Sequence, residues 1–297
     1  MRVGVIDIND ESVVVLEAQG RWIDFTRAHR VFQLIEHQFL GMPARSVAEI
    51  LQAGHFNQTY FERVIAMLEK HAMTAKYTIE TPSVFRLPLR PGKVIGVGRN
   101  YAAHAHETGH EVPSEPIFFS KATTACIGDG EAIVIRESYG RVDHEGELAI
   151  IVGKRCRDVR EEDARACIAG YTLLNDVTAR EMQKRDIENA HPWFRSKSLD
   201  TFCPLGPYIV LRDELPWPIE VDIEVKVNGQ TRQKSNTRRF IFPVPRLIAH
   251  ITRFMTLEPG DVIATGTPEG ISPIHAGDIV EVIVPEIGVL RNRCVSG

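Results

Sequence analysis

The sequence has no C-x-x-C pair, no run of membrane-spanning length, no internal repeat and no low-complexity tract. Each absence removes a class of protein. The five cysteines, Cys126, Cys156, Cys167, Cys203 and Cys294, are odd in number and match no zinc-ribbon or zinc-finger spacing. Reduced, structural thiols are therefore expected. Cys156 lies among Lys154, Arg155 and Arg157, which favours a lowered pKa, but no local partner makes it a nucleophile. A spanning helix needs about 20 consecutive apolar residues, and no segment approaches that. The start, MRVGVIDINDESVVV, has acids where a signal peptide needs an apolar core. A cytoplasmic location without membrane contact is the expectation. The net charge is −4, so no nucleic-acid footprint is expected either. The dinucleotide fingerprint is also incomplete. Gly96-x-Gly98 follows an apolar run, but its third position falls on Tyr101, where close approach needs Gly or Ala. Those glycines are read instead as turning the chain so that Arg99 and Asn100 enter a pocket.

What is present suits a soluble globular chain of 297 residues, long enough for one large core and a small second domain. Residues 1 to about 80 alternate strand-like runs with two helical patches, one from Ala44 to Gln52 and one in TYFERVIAMLEKHAMTA. In the second, Phe61, Val64, Ile65, Met67 and Leu68 form an apolar stripe at helical spacing. TPSVFRLPLRPGKV then reads as a linker or as a strand arriving at a new domain. From Lys93 onward short strands dominate. VDIEVKVNGQ alternates and ends in Asn228-Gly229, a hairpin signal, and Val244 to Phe254 is the clearest late helix. The order lacks the βαβα rhythm of a doubly wound sheet.

VDHEGELAIIV places Asp143, Glu145 and Glu147 at spacings of two, ahead of an apolar run. On a strand beginning near position 144, Glu145 and Glu147 share a face. Neighbouring carboxylates repel unless water, a base or a cation intervenes. A solvated edge or a divalent cation with oxygen ligands each satisfies the pattern. His104 and Glu107 are three apart, and on a helical turn they share a face. They form either a surface capping pair or a base whose tautomer is set by the carboxylate. Asp176 ends the apolar run GYTLLND, as a third carboxylate ligand or as the N-cap of the following helix, which carries Arg180 and Gln183. Lys197, in PWFRSKSLDTF, either holds a carboxylate or enolate or reaches solvent. ATGTPEG, with Gly266 and Thr267, is a tight turn suited to a small anion.

Taken together, GVGRNYAAHAHETG, DHEGELAIIVGKRCR, GYTLLNDVTAR, WFRSKSLDTFCPLGP and ITRFMTLEPGDVIATGTPEG resemble the fumarylacetoacetate hydrolase family from about Lys93 to the C-terminus. The resemblance implies an α+β, mostly β chain: a mixed β-sandwich roll over residues 86–297 behind a small α/β N-terminal domain at 1–85, usually as a homodimer. It implies a divalent metal, Mg²⁺ or Mn²⁺ with Ca²⁺ possible, on Glu145, Glu147 and Asp176. It assigns the His-Glu dyad to His104 and Glu107 and the lysine beside the metal to Lys197. Arg99, Gln183 and Thr267 match residues that contact substrate or border the site, and Thr201 lies near the pocket. Asn100 and Gly266 complete the substrate-binding candidates, from the turns that carry them. The implied activity is hydrolysis of the C–C bond of a 2,4-dioxo acid, an acylpyruvate or fumarylacetoacetate-like substrate, through a metal-bound enolate. The same intermediate serves a 2-hydroxymuconate-type isomerase or decarboxylase, an oxaloacetate decarboxylase and a diketo sugar-acid hydrolase. A protein that only binds a 2-oxo acid is the non-enzymatic alternative. The segment from His104 to Lys121, with Pro113 and Pro116, is expected to act as a lid over the substrate tail.

Overall fold

The computed structural model describes residues 1–36 and 45–297. Its organising element is a mixed sheet of 11 strands. The centre of that sheet is the antiparallel pair Gly146–Val152 and Ile168–Asn175. On one side follow Val262–Ala264, Val94–Gly98 and Ile117–Lys121. On the other side Cys203–Leu211 joins Arg2–Ile8, Glu11–Ala18, Arg21–Asp24 and Thr78–Ile79, and the eleventh strand, Cys126–Ile127, pairs with Cys203–Leu211 off this path. A second sheet of five strands faces it, in the order Gln230–Asn236, Asp222–Val227, Ile279–Val284, Gly288–Ser296 and Ile133–Ile135. The result is the α+β, mostly β architecture that the family resemblance implied.

The large sheet is buried on both faces, which explains the unbroken run LAIIV. Leu148, Ile150 and Val152 enter the core between the sheets, while Ala149 and Ile151 enter a second core under the N-terminal helices. A strand alternates its side chains, so a continuous apolar run means two covered faces. The helix Gln58–Lys70 supplies that second cover. Phe61, Val64, Ile65, Met67 and Leu68 are all buried, as the stripe requires. Asn57 caps this helix by accepting from the Tyr60 N–H (2.9 Å). The first helical patch appears as Val47–Gln52, whereas Ala44 lies outside the described residues. Residues 1 to about 80 thus share a sheet with the rest of the chain, through Arg2↔Val210 and Val3↔Ile209, and share a core with it as well.

Later elements follow their local signals. Asn228 and Gly229 take positive φ, 52° and 76°, in the hairpin turn between Asp222–Val227 and Gln230–Asn236. The helix Val244–Phe254 turns Leu247, Ile248 and Ile251 into the main core. No described helix is long and apolar enough to cross a membrane. Cys156 departs from its expected electrostatics: it is buried, and the thiol of Cys167, followed by burial itself, pushes its pKa up despite Lys154 nearby.

Candidate active site

Glu145, Glu147 and Asp176 converge because two neighbouring strands end together. Gly146 stands opposite Asn175 in the register, so Glu145 and Asp176 flank the same edge. Two bonds lock the corner. The Asp176 N–H donates to the Glu145 carbonyl (2.8 Å), and the Glu145 N–H donates to Asn175 Oδ1 (2.9 Å). One carboxylate oxygen from each of the three residues lies within 4.8 Å of the others, and all three residues are buried. Asp176 is no helix cap. Its side chain faces two lysines, and the following helix Arg180–Glu188 has no side-chain cap.

Three cations surround this cluster. Lys197 Nζ donates to Glu145 Oε2 (2.7 Å) and Asp176 Oδ2 (2.6 Å). Lys121 Nζ donates to Asp176 Oδ1 (2.5 Å) and to the Lys197 carbonyl. Arg180 donates to Asp143 (2.8 Å), to Gln183 Oε1 (3.1 Å) and to Glu145 Oε1. Burial opposes ionisation of Glu145, but Lys197 and then Arg180 outweigh it and hold the carboxyl well below its usual range. Lys197 is likewise disfavoured by burial yet kept charged by Asp176 and Glu145, which raise its pKa. Glu147 is the exception. Among the described residues no cation pairs with it, and its Oε2 accepts only the Gly266 N–H (2.7 Å). Burial, then the charges of Asp176 and Glu145, push its carboxyl well above the usual range. Three converging carboxylates with one uncompensated member suit a hard divalent cation.

Lys121 was not singled out from sequence. Its signal lay in IFFSK, where a lysine ends an apolar strand two residues after Phe119 and so shares its face. A lysine with no exposed surface requires a buried partner. Asp143 is held by Arg141 and Arg180, which leaves it outside the triad.

The helix Ala102–Glu107 brings the histidine in. His104 Nδ1 lies 3.2 Å from Glu107 Oε2, and Glu107 Oε1 accepts the Gly270 N–H (3.0 Å), which ties the helix to the ATGTPEG turn. His104 borders a cavity of about 70 Å³ together with Glu145, Glu147, Asp176, Lys197 and Thr267. One water needs roughly 10–15 Å³ of such space, so the cavity suits a small acid rather than a bulky ligand. Thr108 and His110, from the expected lid, reach the same cavity.

The remaining candidates divide. Arg99, Gln183 and Thr267 line the cavity. Asn100 does not, because its amide is spent inside the protein. It donates to the carbonyls of Phe242 (3.1 Å) and Thr265 (2.8 Å) and accepts the Phe242 N–H (2.8 Å). Thr201 points elsewhere too, its Oγ1 accepting the Val134 N–H (2.9 Å). Gly266 serves Glu147 through its N–H, and a Cβ there would sit 2.7 Å from the Cβ of Asn100. The glycine reading of the Arg99 turn also changes: Arg99 itself takes the positive φ, 55°. Gly98 instead leaves room for Trp193, whose ring a Cβ would meet at 3.0 Å.

Residues 93–295 match the family model described as fumarylacetoacetate (FAA) hydrolase C-terminal. A mitochondrial oxaloacetate tautomerase of Bos taurus is 36% identical over 258 residues, covering 84% of this chain and 80% of that protein. Among solved structures, a maleylpyruvate hydrolase of a Sphingobium species, in complex with manganese(II) and pyruvate, is similar at TM-score 0.78 and 29% identity, with both chains covered in full. A 5-carboxymethyl-2-hydroxymuconate delta-isomerase of Mycobacterium smegmatis is similar at TM-score 0.73 and 35% identity, covering 100% of this chain and 99% of that one.

Proposed function

The chain belongs to the fumarylacetoacetate hydrolase family, and from that premise we propose that it is a divalent-metal-dependent hydrolase that cleaves a 2,4-dioxo acid between C3 and C4. The observation that carries the reading is His104, paired with Glu107, on the cavity that the acidic triad also lines. Glu145, Glu147 and Asp176 would hold Mg²⁺ or Mn²⁺, which when bound polarises the oxygens of a 2-oxo acid as a Lewis acid.

The chain's own residues supply the rest. Glu107 accepts the Nδ1 proton of His104, which leaves Nε2 as the basic nitrogen. His104 takes a proton from water, and the oxygen of that water adds to C4. The C3–C4 bond breaks, its electron pair passes to C3 as an enolate, and the acyl fragment leaves as a carboxylic acid. Lys197 places its ammonium where enolate charge grows. A proton delivered to C3 completes a 2-oxo acid product. His104→Gln is expected to lower acetylpyruvate hydrolysis about 10²- to 10⁴-fold while calorimetric Mn²⁺ binding persists. Full turnover in that variant would overturn the reading.

A second reading follows from the same base. His104 can move a proton at C3 without water addition, as keto–enol or double-bond isomerisation demands, and two of the similar proteins, the oxaloacetate tautomerase and the hydroxymuconate delta-isomerase, are named for reactions of that kind. Loss of enol absorbance without stoichiometric pyruvate and acetate would favour it over hydrolysis.

A further inference from the structure

Among the described residues, one lysine and two arginines line the cavity: Lys197, Arg180 and Arg99. The first two are saturated by protein carboxylates. Arg99 is different. Among the described residues no carboxylate lies within ion-pair distance of it, and its guanidinium rests on the Trp193 ring, 5.5 Å from the centroid. Stacking on an aromatic face fixes the plane of a guanidinium and leaves its N–H edge free to grip a carboxylate through two parallel bonds.

The backbone is built to hold it there. Arg99 occupies the left-handed region at φ 55°, a conformation that costs a non-glycine residue energy and persists only where neighbours enforce it. Asn100 enforces it, through three buried hydrogen bonds to Phe242 and Thr265 and through its own carbonyl, which accepts the Ile241 N–H (2.8 Å). The missing side chain of Gly98 lets Trp193 come close enough to form the platform. Three separate features therefore aim one unpaired cation into the cavity.

We propose that Arg99, on its Trp193 platform, is a specificity-determining residue that binds a second carboxylate at the far end of the substrate, so that the enzyme prefers 2-oxo diacids to 2-oxo monoacids. This rests on the reading of the cavity as a 2-oxo acid site. The 2-oxo acid head belongs with the triad and Lys197, and the tail carboxylate belongs with Arg99. The contact also bears on the reaction. Decarboxylation at the tail would turn that carboxylate into neutral CO₂ and weaken its bond to Arg99 in the transition state, so the contact favours reactions that keep the group.

The test uses the full-length protein loaded with Mn²⁺. Calorimetry compares 2-oxo diacids of four to six carbons with 2-oxo monoacids of the same lengths. Turnover compares 2,4-dioxo acids whose tails end in a carboxylate with their tail methyl esters. Charge-assisted bonds of this type predict a preference for the diacid on the order of 10- to 100-fold. Arg99→Met and Arg99→Gln should collapse the preference to near unity, and Arg99→Lys should keep part of it. Mn²⁺ affinity reports that each variant is folded. A wild type indifferent to the tail charge, or a preference that survives in R99M and R99Q, would overturn the proposal. The two readings fail separately. A diacid preference in binding without hydrolysis sinks the hydrolase assignment alone, whereas hydrolysis without any preference sinks the role of Arg99 alone.

Discussion

The two cores of this molecule use burial for opposite ends. Under the N-terminal helices, Phe25, Phe32, Phe61 and Leu68 fill the space against the sheet, and few polar side chains join them. Beneath the cavity the same sheet buries Lys121, Lys197, Glu145, Glu147 and Asp176 within a few ångströms of one another. Apolar burial stabilises by about 1.5–3 kcal/mol for each large side chain. Buried charges cost desolvation, which pairing offsets only in part. One region holds the fold together, and the other is held in place by it. The difference separates residues whose loss unfolds the chain from residues whose loss disarms it.

The largest expected effect falls on Glu147, the triad member that pairs with no cation among the described residues. Glu147→Gln should weaken Mn²⁺ binding by more than about tenfold, measured by calorimetry, and abolish turnover. It should also leave the metal-free protein more stable, by about 1–3 kcal/mol in urea titration, because it removes a carboxyl that burial and the charges of Asp176 and Glu145 force out of its ionised form on folding. A loss of stability instead would mean that the site is packed as an ordinary core, and the contrast would break.

Phe61→Ala probes the other region. It should cost about 3–5 kcal/mol of stability by denaturant midpoint, through a cavity between the helix Gln58–Lys70 and the sheet. Mn²⁺ affinity of the folded variant should stay within about twofold of wild type, as expected for distant sites. A tenfold drop would show that the N-terminal core tunes the site through the shared sheet.

The smallest effect sharpens the comparison. Asp24 caps the helix Phe25–Ile35 by accepting the Arg27 N–H (2.9 Å). Asp24→Ala should cost about 1 kcal/mol in the same titration. A polar group buried in the N-terminal region would then count toward stability, the reverse of Glu147.

Much of the fold was legible locally. Helical spacing marked the helices Gln58–Lys70 and Val244–Phe254, and Asn-Gly marked the hairpin at 228–229. Spacing rules work there because one element's own geometry decides which side chains share a face. Glu145 and Glu147 were visible for the same reason, as were His104 and Glu107. Other features were illegible because their partners lie far along the chain. Lys121 meets Asp176 across 55 residues, and Asn100 reaches Phe242 across 142. Asn100 and Thr201 resemble pocket residues in sequence, yet backbone groups of distant segments consume their side chains.

By itself, then, the sequence determined the element types, the acidic and basic groups available for chemistry and the family they resemble, because periodicity and residue type are local properties. Only the tertiary structure decided which charge answers which. Strand register set Glu145 beside Asp176, and among the described residues the fold left Glu147 without a cation partner and Arg99 without a carboxylate partner. Those outcomes depend on distances between segments remote in the chain, and electrostatic energy follows distance rather than sequence order.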